Sequence, residues 1–278
     1  MNKFINNCNN KVVNIVYEQV QVPHEIRELT GINLEIYKLL NNQYDFDKYY
    51  DKLDRKCNIV HISHKVRNEL IDISKILIES GRDIKDRDIQ QLTENIPEFI
   101  DVLKKNMKEF TSTGCEVFVK TVITSGKNDV KILPCNTFVD VISRITNNLS
   151  IYRNLVRPEM NSDLVLQEWI DIKYEFRIFI CKGKCTAITQ QKWYEPINIQ
   201  MDTLSIMINK ILTTNYDWIP AFNGVVDVCF LENENLHMIE CNPWGLFLSS
   251  GSSLFSWIND YDILYGINST ECVVRLFM

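Results

Sequence analysis

The stretch from Phe222 to Trp257 constrains this 278-residue chain more than any other. Its centre reads Gly224-Val-Val-Asp-Val-Cys-Phe-Leu, then Glu-Asn-Glu-Asn, then Leu-His-Met-Ile-Glu-Cys-Asn-Pro-Trp, two β-prone apolar runs around a polar turn. If Leu231 pairs with Leu236, the antiparallel register sets Asp227 opposite Glu240. Asn242 follows Glu240 by two residues and so points to the same face. Like charges facing each other across a ladder are destabilising, and a carboxylate on an apolar hairpin needs a counter-charge. A hard divalent cation would compensate both acids. Oxygen donors without His or Cys suit magnesium, which keeps its waters and binds together with phosphates. The expectation is a magnesium-nucleotide site held by Asp227, Glu240 and Asn242. The alternative is a half-exposed hairpin whose acids face solvent.

Composition removes several other classes. Lys plus Arg number 30 against 36 Asp plus Glu, a net charge of −6, so the overall field favours neither nucleic acid nor an anionic membrane. No apolar run reaches the length of a membrane span, and the opening residues lack a secretory core, so a soluble, cytoplasmic protein is expected. Nine cysteines without a Cys-x-x-Cys pair read as reduced thiols.

Along the chain, Val12 to Val16 suggest a short strand before Pro23. Ile62, Val66, Leu70, Ile73 and Leu77 follow helical spacing, with Ser63 near the start and Gly81 past the end. Pro97 opens a second helix, on which Phe99, Leu103, Asn106, Met107 and Phe110 follow one face. His61 and His64 read as surface or capping residues, since no acids or cysteines stand near them. After Gly114 the pattern becomes a strand that contains Lys120. A lysine there either snorkels to solvent or meets a fixed anion such as a phosphate. Lys127 in the following small-residue loop is a weaker candidate. Thr137-Phe-Val-Asp140 starts a helix as a capping box. Leu164 to Ile170 reads as a strand that ends at Asp171 and connects two lobes. Glu175 to Ile180 and Thr186 to Gln190 form a second hairpin, where Arg177 either clamps phosphate oxygens or pairs with Glu175 at the surface. Leu204, Met207, Ile208 and Ile211 mark a further helix, and Cys272 to Phe277 a last strand.

A strand lysine, a connecting strand, a strand arginine, then an acid and an acid-x-Asn pair is an order of parts that resembles ATP-grasp proteins. Glu175-Phe-Arg177, Gln190, Val226-Asp-Val228 and Asn242-Pro-Trp-Gly245 are similar, more closely, to the cell-division-cycle protein 123 (D123) family, over about Cys115 to Trp257. The resemblance implies an α+β, ATP-grasp-like fold with two lobes clasping a nucleotide between antiparallel sheets. The parts are divided as an amino-terminal region over 1–112, a small lobe over 113–170 and a large lobe over 171–278. It implies ATP and magnesium as cofactors, with Lys120 and Arg177 as phosphate contacts and Gln167, Glu168, Trp169 and Ile170 along the adenine edge. Asp171 becomes a ribose contact, and Asp227, Glu240 and Asn242 the metal ligands. The implied role is assembly of eukaryotic translation initiation factor 2 through its gamma subunit. The alternative is an ATP-grasp ligase activating a carboxylate or an RNA end; no membrane is expected as partner, and nucleic acid only in that second case. Departures from the family pattern fall at Thr121-Val-Ile-Thr, at Gly126-Lys-Asn and at Gly251, where the family carries an acid.

Overall fold

A computed structural model describes residues 13–17 (backbone only), 43–123, 133–219, 223–245, 251–267 and 271–278. Lys127 lies outside them. The chain divides into two compact units, one of residues 1–54 and 171–278, the other Arg55–Ile170.

The second unit is a three-stranded antiparallel sheet with helices on one face. Its strands are β2 (Cys57–Val60), β3 (Val117–Thr121) and β4 (Leu164–Glu168), with β4 in the centre. The helices are α1 (His64–Ser80), α2 (Asp86–Asn95), α3 (Pro97–Thr111), α4 (Phe138–Asn147) and α5 (Leu149–Leu155). Helix α1 starts where the Ser63 hydroxyl accepts the Val66 amide, and it stops at Gly81, whose φ of 62° is the left-handed conformation that glycine adopts at no steric cost. Thr137 and Asp140 exchange side-chain and backbone bonds at the start of α4, as their spacing anticipates. The buried faces of these helices, among them Leu70, Leu77, Ile100, Leu103, Phe110 and Ile142, pack on Val60, Val119, Leu164 and Leu166 from the sheet. Each such side chain contributes about 1.5–3 kcal/mol when withdrawn from water.

Alternation leaves the sheet's other residues on its opposite face. Cys57, Gln167 and Phe118 lie side by side there, as do Ile59, Val165 and Lys120. Lys120 therefore faces away from the helical core.

The first unit is built on a six-stranded sheet. Its strands are β1 (Val13–Tyr17), β5 (Tyr174–Cys181), β6 (Lys184–Gln190), β7 (Gly224–Phe230), β8 (Leu236–Asn242) and β9 (Cys272–Leu276), in the order β1-β9-β6-β5-β7-β8. Strand β9 runs parallel to both β1 and β6, and the other pairs are antiparallel. Helix α6 (Met201–Thr213) buries Leu204, Met207, Ile208 and Ile211, the face its sequence spacing marks. A single turn, α7 (Tyr261–Leu264), follows an aromatic cluster of Phe179, Trp244, Phe255 and Trp257. Among the described residues, no helix is long and apolar enough to cross a membrane.

Candidate functional site

The β7–β8 hairpin reaches the expected pairing by a different route. At the turn, Phe230 rather than Leu231 pairs with Leu236, a slip of one residue. A bulge between Asp227 and Val228 then inserts Ile239 as an extra residue in β8, and Asp227 returns opposite Glu240. The two errors cancel.

Strand order then does what the hairpin alone cannot. Arg177 on β5 lies directly across from Asp227, Thr189 on β6 across from Arg177, and Arg275 on β9 across from Thr189. Residues opposed in register share a face, so Arg275, Thr189, Arg177, Asp227 and Glu240 form one polar row across five strands.

Asp227 is fully buried, which sets aside the reading of a hairpin whose acids all face solvent. Its counter-charge is Arg177. The guanidinium donates from Nε to Asp227 Oδ1 at 2.8 Å and from Nη2 to Oδ2 at 2.7 Å, and its Nη1 donates to the Gly251 carbonyl at 2.8 Å. The Gln191 amide and the Asn242 amide also donate to Asp227 Oδ2, each at 3.3 Å. Burial opposes the charge on Arg177, but the carboxylates of Asp227, Glu240 and Glu175 outweigh it and raise its pKa. Arg177 thus gives both carboxylate bonds to Asp227. Gly251 tolerates this approach because it lacks a side chain: a Cβ there would stand 2.9 Å from Arg177 Nη1.

Arg177 already neutralises Asp227, so this buried acid does not require a cation, contrary to the expectation from the hairpin alone. A metal remains chemically compatible. Oδ2 of Asp227 takes three donors, whereas Oδ1 takes one and has a lone pair left. Asn242 spends its amide nitrogen on Asp227 and keeps its carbonyl oxygen. With the Glu240 carboxylate opposite Asp227, the set is oxygen-only and suits a hard cation. No cluster of three His, Cys, Asp or Glu with metal spacing occurs among the described residues, so any cation here would rely on the Asn242 amide and on water.

In the helical unit, Lys120 is 4% exposed on the sheet face away from the helices. Gln167, on the same face, is 1% exposed, and its Nε2 has no hydrogen-bond partner. A buried amide left unbonded is costly and marks a place where a ligand acceptor fits. Burial raises the Cys57 thiol to about 11, against the opposing pull of the Lys120 and Arg55 charges, so two cations border this face. Glu168 accepts from the Cys115 thiol at 3.4 Å. The Trp169 ring lies 6.4 Å from Phe118, and its amide bonds the Glu116 carbonyl. Ile170 is half-buried and ends this unit; Asp171 is exposed and begins the next segment of the other.

Arg177, Asp227, Glu240 and Asn242 are thus brought together in one unit, and Lys120 with Gln167 to Trp169 in the other. Sequence reasoning missed Gln191, the Gly251 carbonyl, Thr189 and Arg275. Gln190 turns away from the row instead, its amide bonding the Lys192 and Glu195 carbonyls and accepting the Phe277 amide. Only the register of β5 against β6 and β7, and of β6 against β9, could have separated Thr189 and Arg275 from Gln190. His61 sits 3.0 Å from Asp163 at the surface, and His64 is the first residue of α1.

The D123 family model matches residues 78–262. The structure of Cdc123 from Schizosaccharomyces pombe superposes with a TM-score of 0.61 at 18% identity, over 89% of this chain and 99% of that one. Its C-terminally truncated form gives 0.62 at 19%, over the same shares. The D-alanine-D-alanine ligase from Coxiella burnetii overlaps more loosely, with a TM-score of 0.37 at 16% identity over 72% of this chain and 57% of that one. No curated protein sequence matches. The fold is α+β and shares the architecture of the Cdc123 structure.

Proposed function

Because the chain belongs to the D123 family, we propose that it is a cytoplasmic, ATP- and magnesium-binding assembly factor for eukaryotic translation initiation factor 2, acting through that factor's gamma subunit. The observation that carries this reading is the buried row in which Arg177, Gln191 and Asn242 converge on Asp227, with Glu240 alongside. A buried ion pair is a poor way to hold strands together, since desolvation costs several kcal/mol per ion and apolar replacements are often as stable. A ligand supplies the reason for keeping it.

In this reading Glu240, Asn242 and Asp227 would hold magnesium through their oxygens. Lys120 meets phosphate oxygens, and the unbonded Gln167 amide donates to the base. The charge of magnesium ATP would be offset by the cationic side chains of this set, Lys120 and Arg177. Arg177, already bonded to Asp227, orients that carboxylate and stands ready as a second phosphate donor through its remaining N–H groups.

Binding to the folded state alone raises stability by about 2.7 kcal/mol at a hundredfold excess over Kd. Titration calorimetry with ATP and magnesium is expected to show binding in the natural protein, with strong weakening in Glu240→Gln and in Lys120→Ala. Equal affinity in all three would remove the site. Capture of the gamma subunit in the presence of magnesium ATP tests the partner, and release of ADP on incubation with amines or RNA ends would favour the ligase instead.

A further inference from the structure

Residues 43–54 lie in the same unit as the polar row and run along the β7–β8 hairpin through two short 3-10 turns, Phe46–Lys48 and Tyr50–Lys52. Two hydroxyls fasten this strap, and an acid lies against the hairpin at its end. The Tyr44 hydroxyl donates to the Asn223 carbonyl at 2.6 Å, just before β7 begins. The Asp54 carboxylate lies 2.9 Å from His237 Nδ1, near the start of β8. Between them, the Tyr49 hydroxyl accepts the Cys241 backbone N–H at 3.0 Å.

The third contact differs in kind. Strand β8 is an outer edge of the sheet among the described strands, so its outward amides have no ladder partner. Cys241 is the residue between Glu240 and Asn242, and the Tyr49 bond pins the backbone at the midpoint of that pair. Tyr49 is itself 4% exposed, with its ring edge-on to Phe46 at 5.3 Å and tilted against Trp218 at 5.7 Å, so its hydroxyl is held by packing rather than by flexible reach. Burial, reinforced by the nearby Cys241, Glu240 and Asp227 groups, holds the phenol well above its ordinary pKa, and the hydroxyl stays neutral.

We propose that Tyr49 is a positioning residue that fixes Glu240 and Asn242 for a divalent cation by clamping the backbone between them to the strap. The proposal rests on the magnesium reading above and adds to it a device from outside the hairpin. A ligand pair on an edge strand would otherwise shift with every fluctuation of that edge. Outer contacts that orient metal ligands commonly change affinity tenfold or more.

The test is a magnesium titration of ATP binding in the natural protein, in Tyr49→Phe and in Tyr44→Phe. Each variant removes one hydroxyl from the strap and keeps the ring, so both lose some stability. Tyr49→Phe is expected to raise the half-saturating magnesium concentration about tenfold, and Tyr44→Phe to leave it near the natural value. An unchanged midpoint in Tyr49→Phe, or the same shift in both variants, would overturn the positioning role while leaving the metal site standing. Absence of any magnesium dependence in the natural protein would instead overturn the reading beneath it. Amide exchange at Cys241 in the natural protein needs no variant to fold: it is expected to slow when magnesium ATP is added, and an unchanged rate counts against the clamp.

Discussion

The Arg82–Asp88 fork of the helical unit spans six residues of sequence with bonds of 2.6 and 3.0 Å, whereas Arg177–Asp227 spans fifty with bonds of 2.8 and 2.7 Å. The bonds are alike and the settings are not. Asp88 also accepts the Lys85 amide at the start of α2, so its fork completes a helix cap with one side open to water. Asp227 is enclosed, and three side chains compete for one of its oxygens. A short-range fork can be explained by the helix it begins. The long-range fork has no such local duty, and its cost points to a task beyond the fold.

That difference is broken most severely by Asp227→Ala. Removing one partner leaves the Arg177 guanidinium buried and uncompensated, a loss of about 3–5 kcal/mol in denaturant midpoint experiments. Replacing both, as Arg177→Met with Asp227→Leu, is expected to restore most of that stability while abolishing magnesium-dependent ATP binding. If the double variant were as unstable as the single one, the row would be structural and the contrast with Asp88 would vanish.

The Arg82–Asp88 fork gives the smaller response. Asp88→Ala removes a helix-start acceptor and is expected to cost about 1 kcal/mol, with nucleotide binding intact. Its pH dependence has a definite sign. Hydrogen bonds from Arg82, then from the Lys85 amide, hold the Asp88 carboxyl at about 2, below its ordinary value, in spite of its partial burial. A lowered carboxyl pKa means that the folded state releases this proton more readily than the unfolded chain. The contribution is complete above about pH 4 and is lost as pH falls toward 2. Acid unfolding of Asp88→Asn should therefore be flatter over that interval than in the natural protein.

These two settings also explain what the sequence could convey. Ser63 with Gly81, Pro97 with its apolar face, and Thr137 with Asp140 are signals written within one or two turns, and each marks a real helix end. Helix α2 carries no such pattern, because it buries only Asp88 and Leu92, and a lone leucine among charges makes no stripe. The opposition of Asp227 and Glu240 was legible from alternation, although the turn slips and a bulge restores it. Arg177 as the partner of Asp227 was not legible. That pairing depends on β5 lying beside β7, which is a fact of strand order that no local spacing encodes. The Gly251 carbonyl was hidden for a further reason, since a backbone oxygen leaves no trace in residue type.

Asp45 sharpens the comparison by omission. It is buried in the strap, and no arginine fork reaches it among the described residues. Burial, with a further push from Asp47 that Lys48 partly offsets, raises its carboxyl to about 6. A raised carboxyl pKa means that the folded state keeps this proton after the unfolded chain has given it up. Its influence on stability is therefore most favourable below about pH 4 and declines as pH rises to about 6. The sign is opposite to that of Asp88: Asp45 lies deeper and is desolvated without a cationic partner, whereas Asp88 is bonded by a guanidinium at a more open site. Asp45→Asn removes the ionisation, so its thermal midpoint should lose the decline between pH 4 and pH 6 and lie above that of the natural protein at pH 7. A variant that kept the slope would assign it to another group and leave the fork unneeded as the explanation. Loss of the slope in Asp45→Asn, beside a flattened acid limb in Asp88→Asn, would assign the two opposite slopes to these carboxyls, one desolvated by burial and the other bonded by a guanidinium.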